Sequence, residues 1–229
     1  MTADRHTGRF AAVSRRGPRE PRWPVVLTLL ALLVLLITMP ARLRLMPEWA
    51  LYVAGAVVVG PLVGVAMRPD NPTWRQVERT ATLGFVAFAA IGDMMVLRTL
   101  IVDILRHARE VSGLQLLASS VAIWLANVVT FSLLYWQMDR GGPTSREGAA
   151  AGRPDWVFPQ DQLGDEFVRP GWRPEFVDYL FLGFSTATAF STTDAPPVTS
   201  RAKLAMMAES SISLLTLVVV AARAINLLG

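Results

Sequence analysis

The side chains that could do chemistry in this chain are carboxylates and hydroxyls set among apolar neighbours. In "AESSISLLTLVVVAARAI", Glu209, Ser213, Thr216, Val220 and Arg223 recur at spacings of 4, 3, 4 and 3, which places them on one face of a helix. A polar face on an apolar helix turns towards a bundle interior or a water-filled cavity, so it could line a pore or serve as hydrogen-bonding glue between helices. Glu209 is the sharpest of these, because a carboxylate within an apolar run needs a partner. Just upstream, "FSTATAFSTTDAPPVTSRAK", residues 184–203, is a run of small hydroxylated residues leading to Asp194 and a double proline. Its hydroxyls in 186–193 are the expected partners of Glu209. Asp93, in "AAIGDMMVLR", is another carboxylate in an apolar stretch. It reads either as an ion or proton relay or as a structural pair with Arg98 or an arginine elsewhere.

Other chemistry is poorly provided for. The chain has no cysteine, and its two histidines, His6 and His107, are far apart in sequence. Disulfides and thiol nucleophiles are excluded, and no histidine-based metal site is expected. There is no glycine-rich phosphate loop, nucleophile elbow or usable carboxylate–histidine set. The expectation is a protein that is not an enzyme and carries no cofactor or metal. Asp155, Asp161, Asp165 and Glu166 match no ion-binding loop in spacing and read as a solvated acidic surface.

The elements that must position these groups are apolar helices. Of 229 residues, 52% are hydrophobic and 17% charged, against about 25% charged in an average soluble domain. The apolar residues fall in runs near the roughly 20 residues that span a bilayer. The fold expected is therefore an all-α membrane protein. A basic tail, 1–23, precedes spans at 24–39, 49–67 (with Pro61 as a kink), 80–105, 114–138 and 202–228. Three regions follow: the disordered tail 1–23, membrane helices over 24–112, and a module over 113–229. Asn127 reads as interhelical glue, Tyr135 and Trp136 as interfacial anchors. Asp103, Arg106 and Arg109 read as a solvated or headgroup-facing strip. The connection 139–173 is too patterned for a pure linker. A net charge of +4 in such a protein sets orientation and does not point to nucleic acid.

Between the long connection and the last span, "EFVDYLFLGFSTATA" can form about four helical turns, whereas "FSTTDAPPVTSR" is poor helix material. One reading is a short helix followed by extended backbone, re-entering the membrane from one side. The other is a complete sixth span over 176–193.

At these residues the sequence resembles the pore module of the potassium-channel superfamily, in which a pore helix runs into a T-x-T-T-V-G-Y-G-D filter, a D-x-x-P-V-T turn and an inner helix. Residues 186–194 fall in that register without a gap, "DAPPVT" matches the turn, and Glu209 and Arg223 fall where small bacterial channels often carry a glutamate and an arginine. The resemblance covers 177–225. It implies a filter-like constriction at Thr188, Ala189, Phe190, Ser191, Thr192, Thr193 and Asp194, with Glu209, Ser213 and Thr216 lining or bracing it. It further implies monovalent cations as permeant partners and a homotetramer. Ser191 and Thr193 occupy both glycine positions and Thr192 the tyrosine position. The carbonyl ladder that replaces a potassium ion's hydration shell should not form, because its backbone angles need glycine. What remains is a ring of hydroxyls with Asp194 at the mouth, which would favour cations with little discrimination. The whole chain is also similar to a family of bacterial integral membrane proteins with four spans, a loop, an F-T-x-x-T-x-F-x-x-[ST]-D segment and a last span. That likeness brings no activity with it, and the location it implies is the bacterial inner membrane.

Charge bias gives an independent view of sidedness. With four spans before the long connection, the side holding the N-terminus carries 14 Lys and Arg residues in its segments and the other side 5. The positive-inside rule then puts the long connection in the cytoplasm. A re-entrant segment following it would enter from inside, opposite to potassium channels, whereas a full sixth span raises no conflict. Three functions are compatible with these observations: a poorly selective cation channel, a non-conducting membrane scaffold, and a proton-coupled transporter using Asp93 and Glu209.

Overall fold

The computed structural model describes residues 20–38, 48–106, 113–147, 152–163, 166–189 and 195–228. Among these the chain is all-α. Four long helices come first: α1 (Trp23–Thr38), α2 (Glu48–Met67), α3 (Pro72–Arg106) and α4 (Gly113–Met138). A one-turn α5 (Pro143–Arg146) lies in the long connection, and α6 (Phe176–Ala189) and α7 (Ser200–Leu228) close the fold. Among the described residues one stretch, Ser120–Gly141, is long and apolar enough to cross a membrane by length and composition. Trp23–Leu35 and Tyr52–Met67 are shorter apolar helices.

Local chemistry sets the boundaries. The polar "PTWRQVER", expected as a connection, is instead the first two turns of α3. Asn71 accepts a hydrogen bond from the Thr73 N–H (2.9 Å) and Pro72 sits at the first helical position, a strong start signal. The α2–α3 turn is tight because the Trp74 ring covers Gly64, where a Cβ would lie 2.5 Å from the ring. Helix α4 stops at "DRGG": Arg140, Gly141 and Gly142 all have positive φ, which only glycine adopts without cost. At α6, the Asp178 carboxylate accepts from the Glu175 N–H (2.7 Å). At α7, Thr199 Oγ1 accepts from the Ala202 N–H (3.3 Å). Both capping groups satisfy donors that an open first turn leaves free.

Helix α4 is the hub. It packs against α1, α3, α6 and α7, and its last four turns are buried nearly all round. Helix α6 runs antiparallel to it. Phe176 meets Trp136 edge-on (5.9 Å between centroids), Gly183 lies against Val128 and Ser132, and Phe184 meets Trp124 (5.6 Å). Helix α7 is antiparallel to α4 as well, so α6 and α7 run the same way. Residues 195–199, which lead into α7, lie at the end of α4 where α6 begins. The long connection fastens them there: Val157 N donates to Pro196 O (3.2 Å) and Val198 N to Asp155 O (2.8 Å), around an antiparallel bridge between Trp156 and Pro197.

One end of the bundle gathers three segments distant in sequence. Arg22 Nε donates to Glu78 Oε1 (2.9 Å), Arg22 pairs with Glu147 (3.3 Å), and Arg79 donates to the Gly141 carbonyl. These are the segments that alternation of four helices assigns to one side. Arg22 and the side chain of Glu20, which composition assigns to the tail, are buried here instead.

Alongside an apolar core, polar side chains are buried and large apolar ones exposed. Buried positions include Thr82, Asp93, Ser120, Asn127, Ser132, Glu209, Ser213 and Thr216, while Val57, Phe88, Ile91, Met95, Phe181, Leu204, Met207 and Val218 are exposed.

Candidate functional site

Two connected features occupy the α4–α6–α7 region. The first is a polar cluster inside the bundle. Tyr135 on α4 donates its hydroxyl hydrogen to Glu209 Oε2 on α7. Asn127 Nδ2, two turns along α4, donates to Ser213 Oγ (2.9 Å) and to the Glu209 carbonyl (3.2 Å). Glu209 Oε1 has no hydrogen-bond partner among the described residues and faces Gly183 on α6, 3.3 Å from where a Cβ would be. A side chain there would also collide with Ser132 Oγ, so glycine lets α6 close on both neighbours. Ser210 Oγ reaches the Thr186 carbonyl near the far end of α6 (3.4 Å).

This geometry revises several expectations. Among the described residues the side-chain partner of the Glu209 carboxyl is the phenol of Tyr135. Of the described hydroxyls in 186–193, Thr186 and Thr188 donate to Leu182 and Phe184 of their own helix, as threonine does when a carbonyl four residues back is the nearest acceptor. Tyr135 and Trp136 are fully buried and are not interfacial anchors, since each spends its polar atom on an internal carboxylate. Glu209, Ser213 and Thr216 do share a face, and it turns inward, where they are buried; Asn127 of α4 bonds the first two. Asn127 joins α4 to α7, as its place in the sequence suggests. Of the filter-like residues, Thr188 is exposed and Ala189 ends α6. Phe190, Ser191, Thr192, Thr193 and Asp194 lie outside the described residues, as do the side chains of Val220 and Arg223.

Asp93 is buried on α3, and its Oδ2 has no partner among the described residues. Arg98 is exposed and no ion pair joins the two. No hydrogen bond connects Asp93 to the Glu209 cluster either.

The second feature is a clamp at the end where α4 stops and α6 and α7 start. Asp139 accepts from the Tyr179 hydroxyl (2.6 Å) and from the Asp155 N–H (2.7 Å). Asp155 in turn takes both arms of Arg201 (2.7 and 2.6 Å) and the Thr199 hydroxyl (2.5 Å). A bidentate, charge-assisted pair of this kind fixes geometry as well as adding energy. Asp155 is thus fully buried, contrary to the solvated acidic surface expected of it. Its neighbour Trp156 packs on Tyr135 (4.8 Å between centroids) and donates to Met206 Sδ (3.2 Å), tying the clamp to the cluster below. On the other flank, Glu20 accepts from Trp136 Nε1 (2.5 Å), Phe176 N (2.9 Å) and Arg146 (3.2 Å). Burial pushes the Glu20 carboxyl above its usual range, and the adjacent Arg146 and Arg22 only partly offset this. No set of three or more metal-ligating side chains comes together among the described residues.

Compared with family models, curated proteins and solved structures, the chain matches none.

Asp139, Asp155 and Glu20 carry no sequence signal that separates them from ordinary loop acids. Only the tight spacing of "VTSR" after a double proline hints that Thr199 and Arg201 work together.

Proposed function

We propose that this chain is a multi-pass membrane protein whose 113–229 module is a subunit of a poorly selective cation pore. The observation that carries this reading is that α6 and α7 run the same way, with the start of α6 and residues 195–199 both fastened at one end of α4. The proposal makes the sequence between Ala189 and Ala195, with Ser191, Thr192, Thr193 and Asp194, a returning arm. Non-helical backbone at membrane depth is tolerated only where protein buries it or where it faces a water-filled cavity. The membrane reading draws support from the exposed apolar residues of α1, α2, α3, α6 and α7. A soluble monomer rarely exposes contiguous apolar patches beyond a few hundred Å². In this proposal four copies bring their returning arms together around an axis. Hydroxyls and the Asp194 carboxylates then select for positive charge without the carbonyl ladder that discriminates potassium from sodium.

A second reading, a non-conducting membrane scaffold, is favoured by one observation. Glu209, Ser213 and Thr216 spend their polarity inside the protomer, against α4.

The oligomeric state of the detergent-purified protein separates the two, read together with the sidedness of residues 139–173. The pore proposal expects four-fold assembly with the returning arms at the axis. A monomer or dimer with residues 186–194 packed inside one subunit contradicts it.

A further inference from the structure

We propose that α1, α4 and α6, together with the loop 169–175, bind one anionic phospholipid, its acyl chain in a lateral groove and its phosphate against Arg169 and Arg173. The inference rests on the membrane reading above and extends it to a site that reading does not require.

Two cavities lie one above the other along α6. The lower is an apolar groove of about 600 Å³ between α1, α4 and α6, walled by residues such as Leu32, Leu35, Val129, Leu180 and Phe184. Its one hydroxyl, Thr28, already donates to the Pro24 carbonyl (2.9 Å), so the groove offers nothing polar to a guest. The upper is a cleft of about 140 Å³ lined by Arg146, Arg169, Arg173, Glu20, Glu147 and Glu175, among others. Their linings are neighbours in sequence on two sides. Pro174 and Glu175 line the cleft and Val177 the groove, with Phe184 about 10 Å further along α6 at 1.5 Å per residue. On the other side, Glu20 lines the cleft and α1, which starts three residues later, lines the groove. An elongated molecule with a polar head and an apolar tail fits this arrangement, and a compact solute does not.

The charges in the cleft set the sign of the head. Glu20 is held by Arg146, and Glu147 by Arg22 and Arg75. Arg173 donates one N–H to the Arg146 carbonyl, which leaves its other donors available. The exposed Arg169 side chain has no partner among the described residues, and the same holds for the Glu175 carboxylate. Two guanidiniums therefore stand against one uncompensated carboxylate, and guanidinium is the group whose planar fork suits a phosphate. A phosphodiester bearing a net negative charge satisfies them. A choline headgroup brings a cation to the same place and gains less.

The test uses the full chain in detergent, with dioleoylphosphatidylglycerol, dioleoylphosphatidylcholine or inorganic phosphate added. Bound lipid is counted by native mass spectrometry and thermal unfolding is followed in parallel. The expected result is one retained phosphatidylglycerol per chain and a raised unfolding temperature, with little effect of phosphatidylcholine or of phosphate alone. Arg169→Gln should weaken retention roughly fivefold, the value of one arginine near an anionic headgroup. Ala31→Trp, which fills the groove, should abolish retention while leaving the cleft intact. Because Arg169 is exposed, its variant tests the site even if the groove variant fails to fold. Equal retention of the two lipids overturns the proposal, as does a preference unchanged in Arg169→Gln. Stabilisation by phosphate alone to the same extent overturns the lipid as ligand. A chain that stays soluble without detergent and sediments with neither vesicle overturns the membrane reading itself, whereas incorporation into both without preference overturns only the lipid site.

Discussion

Tyr135 and Glu209 are joined across the α4–α7 interface, phenol hydrogen to carboxylate oxygen, directly beneath the Trp156 ring that the long connection inserts between the helices. The pair couples the interior of the bundle to the clamp at the end where α6 and α7 start.

Removing the phenol should leave Glu209 buried without a donor. Tyr135→Phe is expected to cost about 1–3 kcal/mol, the cost of leaving a buried acceptor without its donor. In a thermal-unfolding double-mutant cycle with Glu209→Gln, the two changes should be non-additive. Strict additivity would show that the contact contributes nothing.

At Gly183, α6 lies close against both α4 and α7. Gly183→Ala should push the Ser132 hydroxyl aside and cost about 1–3 kcal/mol as overpacking, despite the better helix propensity of alanine. Gly84, on α3, has open space at its Cβ position, so Gly84→Ala should be neutral or stabilising. Equal effects of the two in a melting experiment would contradict the packing described.

Asp155 and Arg201 should not be energetic equals. Asp155 is fully buried and Arg201 is 60% exposed. Asp155→Ala strands the Thr199 and Arg201 donors and should cost about 2 kcal/mol, with faster amide exchange at Val198. Arg201→Ala should cost less than about 1 kcal/mol, since solvent screens its share.

The Glu20 carboxyl titrates above its unfolded value because it is buried. A group whose folded pKa is raised favours the folded state while protonated. Its contribution is complete below the unfolded value of 4.5 and is lost as pH rises through the folded pKa. Attachment of residues 20–22 to Trp136 and α6 should therefore be firmest in mild acid and loosen towards neutrality. Amide exchange at Phe176, corrected for intrinsic rate, is the readout. Glu20→Gln should flatten the profile, and a profile unchanged by that substitution would contradict the assignment.

Much of the helix order could be read from the sequence because apolar runs are local signals, whereas the start of α3 was missed because its first two turns, after Asn71 and Pro72, are polar. The one-face placement of Glu209, Ser213 and Thr216 was legible for the same reason, since helical period is enough to derive it. What that face meets was not, because it depends on α4, which lies some 80 residues away. Tyr135 and Trp136 were misread for a related reason. An aromatic pair at the end of an apolar run looks the same whether its polar atoms point to headgroups or to buried Glu209 and Glu20.

The most direct test of the pore proposal is cation flux into liposomes reconstituted with the purified chain, using sodium and potassium against empty liposomes. The proposal predicts flux that scales with protein, differs little between the two ions and falls in Asp194→Asn. Folded, tetrameric protein with no flux above empty liposomes would contradict it.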